Sequence, residues 1–597
     1  VLSEEVSNQL KSRGYGSHFI KRKGVPGYDM SDALRVLHDQ IQGFSGWLTK
    51  VEAAHDFSNM LTKLDAKNQP NEYAWATQYV HDMLENQTKT DRFVDAAKSV
   101  MFMNWLGGNI KNLAVNLTQN IILGTPTLGR HVGLGRANAQ WLKAIKDLRI
   151  AVTDKGVIEN PRLTEQERGF LADMIAEGWG RGQLMDELRG RMSGPAGKFW
   201  NKATQVMGWP MQASEQFNRL TLGLAAFRAA MAGQIYNEGT LTSLEMTAGQ
   251  KFSYDTAKRF AEYVVNDAHF QYSKGNKPQF ARGSLGGKAL SAAYTFRTFS
   301  HNLLSAWRYM LGSGDKDAMK AFAASIMGTI ALGGLGAIPI YQTLAALIRQ
   351  LFGEDPLESG LRKKIPAPMR DLVMYGAPSA LGINIGGSLG MELPVLDRAR
   401  INKDFKDQLG ETLGNILGPP YALVSQYMDA IDAMRSGNTA RAVESASPAF
   451  IKNILSAHRL ATEGQTTVSG KPIAVPGEKE ARKLTAGEAI AKGLGFQPLS
   501  STKAFEMHRT LSEVKSYRDE KQEEWANKYV QAKRAGDLQT ATAIKEEARQ
   551  WNREAVLKGR PDLKVDLHAA IAARRKPAQP MRQMKGMAKE LREAYGM

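Results

Sequence analysis

Residues 321–348 read AFAASIMGTIALGGLGAIPIYQTLAALI, with no charged side chain between Lys320 and Arg349. As one continuous helix this run would rise about 42 Å, more than the roughly 30 Å of a bilayer's hydrocarbon core. Pro339 speaks against continuity, because proline removes a backbone donor and clashes with the preceding turn. It divides the run into 321–332 and 339–351, each too short to span unaided, with Gly333, Gly334 and Gly336 just before the break. Small residues at Ala323, Ala324, Gly328 and Ala331 permit close helix contacts in lipid or in a protein core. Two readings follow: a buried helical hairpin, which stands ahead of a stable transmembrane span, or a segment buried in one state that inserts in another. In the second, Ile326, Ile330, Leu332, Ile338, Ile340, Leu344 and Leu347 approach the membrane. Arg349, Arg362, Lys363, Lys364 and Arg370 then form a basic flank suited to lipid headgroups or DNA phosphate.

Outward from this stretch, helical periodicity dominates. Leu34, Leu37, Ile41, Phe44, Leu48 and Val51 recur three or four apart behind the N-cap candidates Ser31 and Asp32. Thr164 and Glu167 form a capping box ahead of Phe170, Leu171, Met174 and Ile175. Phe217, Leu220, Leu224, Phe227 and Met231 mark another inward face. Strand-like alternation is scarce and no βαβ rhythm occurs. The expected fold is all-α: an extended multi-helix assembly subunit with a central Gly/Ala-rich apolar hairpin and a charged helical C-terminal region.

Composition shifts and Gly/Pro clusters suggest five segments. They are an N-terminal helical region (1–155), a central helical region (156–320), the apolar segment (321–353), a Gly/Pro-rich and helical region (354–480) and a charged helical region (481–597). The cluster GTPTLGRHVGLG at 124–135 reads as the end of an apolar helix, and 467–480 as a short hairpin or linker. In the last segment Met507, Leu511, Val514 and Tyr517 form a narrow seam, best read as packing within the chain. The chain starts with Val, inside what reads as a running helical pattern, so it is expected to be a piece of a longer polypeptide.

The 597 residues carry 43% hydrophobic and 23% charged residues, a globular balance, and a formal net charge of +18. That charge points to anionic partners, nucleic acid or an anionic membrane surface, without a dense basic block that would indicate sequence-specific recognition. The absence of cysteine excludes disulfides, thiolate nucleophiles and Cys-based metal sites.

Catalytic patterns are weak. Gly386-Gly387-Ser388-Leu389-Gly390 fits the nucleophile-elbow spacing, with Asp397 and His458 following in hydrolase order, yet the surroundings are helical and supply no sheet. The glycine-rich GLGRAN (133–138) and GWGRG (178–182) lack phosphate-loop or dinucleotide spacing and read as turns or close helix contacts. The ten histidines are scattered, without His-Glu-x-x-His. The expectation is a non-enzymatic protein without cofactor or metal.

A second apolar stretch, 100–129, interleaves Trp105, Ile110, Leu113, Leu117 and Ile121 with Asn104, Asn109, Asn112, Asn116, Gln119 and Asn120. An apolar face opposite an amide-rich one suggests helix–helix hydrogen bonding or self-association. The alternative is a half-buried helix with a polar outer side. The five apolar residues are the candidates for subunit packing.

Several pieces, in order, resemble the C-terminal region of large polyvalent phage and prophage proteins of the PLxRFG type. They include FIKRKGVPGYDMSDALRVL (19–37), NWLGGNIKNLAVNLTQNIILGTPTLG (104–129), ASEQFNRLTLGLAAF (213–227), FQYSKGNKPQFARG (270–283) and AAYTFRTFSHNLLSAWRYM (292–310). MRDLVMYGAPSALGINIGGSLG (369–390), ILGPPYALV (416–424), SPAFIKNILSAHRLATEGQTTVSGKPI (447–473) and AIAKGLGFQP (489–498) continue the series. The group includes internal virion proteins that short-tailed phages eject with their genome. The resemblance implies a subunit held inside the capsid and delivered to the host envelope, periplasm or inner membrane, where it helps form a conduit. Implied partners are further copies of the chain, other ejection proteins, the portal or tail, double-stranded DNA bound non-specifically, and conditionally the host inner membrane. It implies no catalytic residue in this region. The alternative it leaves is a structural segment of a giant polyvalent enzyme whose catalytic domain lies outside this chain.

Overall fold

The computed structural model describes residues 53–84, 89–148, 154–182, 194–270, 277–278, 281, 291, 294, 298–338, 341, 364–386, 419–465, 482–557 and 560–575. Among these residues the protein is all-α. The one exception is a two-stranded antiparallel sheet, Ile383–Asn384 (β1) on Gln497–Pro498 (β2), with Ile383 opposite Pro498. The described residues group into two compact units. One draws on 1–325, 400–429 and 445–450, the other on 326–399, 430–444 and 451–597.

In the first unit α1 (Pro70–Leu84) and α2 (Lys89–Trp105) precede α3 (Ile110–Leu117), a π-helical turn (Asn120–Gly124), α4 (Thr125–Val132) and α5 (Leu134–Leu148). Then come α6 (Asp154–Ile158), α7 (Glu165–Ala176), the long α8 (Gly194–Met231), α9 (Glu238–Ser243), α10 (Tyr254–His269) and α11 (Thr298–Gly312). The unit is organised around the second half of α8, which packs chiefly on α10, α5 and α3. Leu220, Leu224 and Phe227 are buried as their spacing predicts, and Phe217 and Met231 pack on from the margin. Leu222, Ala225, Ala226, Ala229 and Ala230 are buried too, so this half-helix is enclosed nearly all round. The Phe170 ring of α7 stacks on Phe227 at 4.3 Å between centroids.

The capping box at Thr164 forms as its sequence predicts, with the Glu167 carboxylate accepting from the Thr164 N–H at 2.9 Å. The same carboxylate pairs with Arg228 at 2.6 Å, and Arg228 reaches Asp147 at 2.8 Å. One guanidinium therefore ties α5, α7 and α8 together.

Deeper in, Arg219 has no solvent exposure. It pairs with Glu215 one turn earlier at 3.3 Å and donates to the carbonyls of Trp179, His269 and Phe270 at 3.3, 3.2 and 2.8 Å. His269 and Phe270 stand at the end of α10, where helix carbonyls lack intrahelical partners and the macrodipole is negative. Gln119 donates to the next carbonyl back, Ala268, at 3.3 Å. Phe270 adopts a φ of 53°, so the chain leaves the helix sharply at the point Arg219 holds.

Residues 124–135 differ from expectation. The chain does not break there until Gly133, whose φ is 86°. Pro126 sits in the first turn of α4, where its missing N–H costs no hydrogen bond, so the helix forms across it.

The apolar stretch of 321–348 enters α12 (Lys316–Gly333), which ends at the glycine pair six residues before Pro339. A 3-10 turn at Leu335–Ala337 follows, then α13 (Ala367–Tyr375). Gly334 has a φ of 72°, and a Cβ there would overlap the Met374 carbonyl. Likewise a Cβ on Gly376 would overlap the Leu332 carbonyl, and one on Gly386 the Gly333 carbonyl. Three backbone segments thus meet with no side chain between them. The glycines explain the helix end, and the expected second half, with 339–340 and 342–351, lies outside the described residues.

Beyond these, α14 (Pro419–Arg435), α15 (Thr439–Ala446), α16 (Ala449–Thr462) and α17 (Ala486–Gly493) lead to α18 (Leu499–Arg534), α19 (Leu538–Leu557) and α20 (Leu567–Arg575). The last three close on Trp525, Tyr529, Ile544, Ala548 and Ile571. Part of the narrow seam packs within the chain, Val514 being buried and the Tyr517 ring meeting Trp551 at 6.1 Å, whereas Met507 is exposed. Ser388, Asp397 and the 467–480 linker lie outside the described residues, as does the 31–51 helix.

Two substitutions test these constraints. Gly334→Ala places a side chain in a left-handed backbone position against a carbonyl, and should cost at least about 2 kcal/mol in denaturant unfolding. Arg219→Met removes the ion pair to Glu215 and the donor to the Trp179, His269 and Phe270 carbonyls, for an expected loss of about 3–5 kcal/mol. Adding Glu215→Gln should recover part of that loss, whereas full independence of the two changes would show that the ion pair is not the coupling.

Candidate functional site

The residues proposed for membrane approach are distributed as follows. Ile326, Ile330 and Leu332 are half-buried on α12, and Ile338 is half-buried just past the 3-10 turn. Ile340, Leu344, Leu347, Arg349, Arg362 and Lys363 lie outside the described residues. Lys364 is exposed and Arg370, on α13, is half-buried. No helix among the described residues is long and apolar enough to cross a membrane. Lys316, Asp317 and Lys320 occupy the first turns of α12.

The Asn-rich stretch has an inverted polarity. Its amides point into the protein: Asn104 donates to Gln426 at 2.9 Å, Asn116 to Ser214 at 2.9 Å, and Asn120 to the Asn218 carbonyl at 3.0 Å. Asn109 caps α3 and accepts from the Lys111 N–H. Of the apolar residues proposed for packing, Ile110 and Ile121 are 48% and 37% exposed, while Trp105, Leu113 and Leu117 are half-buried. The helix–helix hydrogen bonding read from the sequence therefore occurs within the chain, and the apolar edge faces outward.

A cavity of about 920 Å³ opens elsewhere in the first unit. The end of α4 supplies Arg130 and His131, the approach to α9 supplies Tyr236 and Asn237, and α9 supplies Glu238 and Thr240. Phe260 and Tyr263 come from α10, Tyr309 from α11, and Asp315 and Asp317 from the start of α12. Arg130 donates to Asp315 at 3.3 Å and to the Tyr309 hydroxyl at 3.2 Å, and its guanidinium lies 5.0 Å from the Tyr309 ring centre. Asp315 also accepts from Asn237 at 3.3 Å and from the Asp317 N–H at 2.8 Å. Together with Arg130, these bonds hold its carboxyl below the usual aspartate range despite burial. Lys320 pairs with Asp317 at 2.8 Å.

His131 forms the floor, 2% exposed, with Phe260 and Tyr263 edge-on at 5.5 and 5.8 Å. Its tautomer follows from the bonds around it. Asn237 spends its amide N–H on Asp315, so its oxygen is the atom that accepts from the Thr240 N–H at 3.1 Å and from the Thr240 hydroxyl at 3.0 Å. Since that hydroxyl proton is committed, Thr240 Oγ1 accepts from His131 Nδ1–H at 2.7 Å. Nε2 is left as a bare lone pair, buried and without a partner. Burial first, and then the Arg130 charge, lower the imidazole to about 4, which keeps it neutral.

Sequence reading missed this cavity. Arg130 and His131 sit inside the Gly/Pro cluster taken as a break, and the other lining residues fall in no recognisable spacing. The one local signal is the Gly-Ser-Gly-Asp-Lys-Asp run at 312–317, a polar helix start. No group of three or more potential metal ligands occurs among the described residues. His458, the third member of the rejected hydrolase order, lies on α16. Comparison with protein-family models, curated proteins and solved structures yields no match.

The neutral His131 has a consequence for stability. Its folded pKa lies below the ordinary 6.5, so the unfolded chain takes up the proton first. Stability is undiminished above pH 6.5 and falls as pH drops toward 4, by about 3 kcal/mol from this group. In denaturant titrations across that window, His131→Asn should lose correspondingly less than the wild type. Parallel pH curves would place the proton uptake on other groups.

Proposed function

We propose that the chain is a non-enzymatic, all-α subunit of the apparatus by which a short-tailed phage delivers its genome. It is stored in the capsid and moves to the host envelope, where it assembles with its own copies and with other ejection proteins to form or line a conduit. Contact with the portal or tail, with duplex DNA through its net positive charge, and conditionally with the inner membrane, belongs to the same reading.

The observation that carries it is the apolar surface this helical body leaves uncovered. On the first half of α8, Phe199, Val206 and Trp209 fall on one helical face and are 77%, 63% and 56% exposed. Exposed aromatic and aliphatic side chains grouped in this way are characteristic of surfaces that associate. Ile110 and Ile121, also exposed, come from the stretch proposed for subunit packing. The ordered sequence resemblance supplies the biological setting. The absence of cysteine suits passage between redox compartments, and the charge of +18 suits storage beside DNA.

Association is the measurable core of the proposal. Mass photometry and negative-stain microscopy over increasing concentration should show rings or tubes for the wild type. The triple variant Phe199→Ser, Val206→Ser, Trp209→Ser should remain monomeric with an unchanged far-UV spectrum. A wild type that stays monomeric throughout, alone and with sister ejection proteins, would favour the structural-segment alternative.

A further inference from the structure

We propose that the His131 cavity is a binding site for a donor-rich organic cation, an alkylammonium or guanidinium group. The inference is independent of the genome-delivery reading and rests on the cavity alone.

The lining offers acceptors and aromatic faces. Three carboxylates, Asp315, Asp317 and Glu238, line the cavity, where Arg130 pairs with Asp315 and Lys320 with Asp317, so two cations stand against three acids. Glu238 is exposed and makes no ion pair among the described residues. This local excess of negative charge stands out on a chain whose total is +18. An anion entering here would meet the carboxylates with no unpaired cation to receive it.

Tyr236, Tyr263 and Tyr309 are 37%, 49% and 54% exposed, so their rings stand where an entering group would pass. Aromatic faces attract cations through the ring quadrupole. The cavity displays that chemistry already, in the guanidinium of Arg130 held between the Tyr309 ring and the Asp315 carboxylate.

At the floor, the bare Nε2 of His131 is a buried acceptor that lacks a donor. An unmet buried polar atom is costly, and a shift of the Phe260 and Tyr263 rings beside it would let a ligand N–H reach and satisfy this one. The lone pair exists because the Asn237–Thr240 hydrogen bonds impose the tautomer. A volume of about 920 Å³ holds far more than one ammonium group, which favours an extended amine or a long cationic side chain. Shared chemistry leaves two sources, a free polyamine and a Lys or Arg side chain of a protein segment.

Isothermal titration of the full chain tests the site, with spermidine, agmatine and Nα-acetyl-lysine methylamide as probes and KCl at matched ionic strength as control. At least one probe should bind with one site per chain. Glu238→Gln and Tyr263→Leu should each weaken it about tenfold. Glu238→Gln alters an exposed side chain and should leave the unfolding curve in place, so loss of binding there cannot be ascribed to misfolding. Spermidine binding without acetyl-lysine binding supports a free polyamine, and the reverse supports a side chain. If no probe saturates, or both variants bind as tightly as the wild type, the proposal is overturned.

Discussion

Arg219 is the constraint around which the first unit is arranged. A guanidinium with no solvent exposure survives only if its charge is compensated and its donors are met. Glu215 on the same helix supplies the charge, and three carbonyls from two other segments supply acceptors. Those carbonyls come from the turn after α7 and from the end of α10. The charge therefore specifies where both segments stop against α8. Hydrophobic burial draws α7, α8 and α10 together without fixing their register, since apolar contacts are not directional. The Arg219 bonds are directional, and the sharp exit at Phe270 is a backbone cost tolerated where they hold it.

The amide seam extends the same logic. Asn116, Gln119 and Asn120 place donors along the π-helical turn and the end of α3, and each finds an acceptor on α8 or α10. His269 completes it, its Nε2–H donating to Asn120 Oδ1 at 2.9 Å while Arg219 takes its carbonyl. A wider helical turn presents Asn120 toward α8, and Gly124 leaves room where a Cβ would strike the Asn120 amide oxygen. Polar side chains share the interior of this stretch with Ile122 and Leu123, while Ile110 and Ile121 are left outside.

How much of this is legible in the chain depends on the range of the interaction. The Thr164–Glu167 box and the Phe217-to-Met231 periodicity are local and could be read directly, because three or four residues decide them. The amide-rich stretch was legible as hydrogen-bonding material, but the partners lie about a hundred residues away, so its inward direction was not. The cavity was invisible for a further reason. Arg130 and His131 lie in a Gly/Pro cluster that ordinarily signals a break, yet Pro126 falls in a first helical turn, where it is harmless. The chemistry of His131 then depends on Asn237, Thr240 and Asp315, whose hydrogen bonds set its tautomer from far along the chain.

The apolar stretch of 321–348 poses the sharpest choice, and its glycines bear on it more than its proline. The backbone of Leu332, Gly333 and Gly334 meets that of Met374, Gly376 and Gly386 so closely that no Cβ could intervene at 334, 376 or 386. Such contacts are short-range and lost on small displacement. A lipid-inserted state of this segment would have to separate those backbones, re-wind the left-handed Gly334 and carry Lys316, Asp317 and Lys320 with the start of α12. Insertion therefore competes with a specific packed arrangement, and weakening that arrangement should favour it. Gly334→Ala should destabilise the folded protein and, were the segment to enter a membrane, would lower the barrier to that state. Dye leakage from anionic vesicles that rises in the variant, relative to a variant of equal stability altered at Arg219, would tie membrane entry to this glycine contact, whereas equal leakage would make it a general result of unfolding.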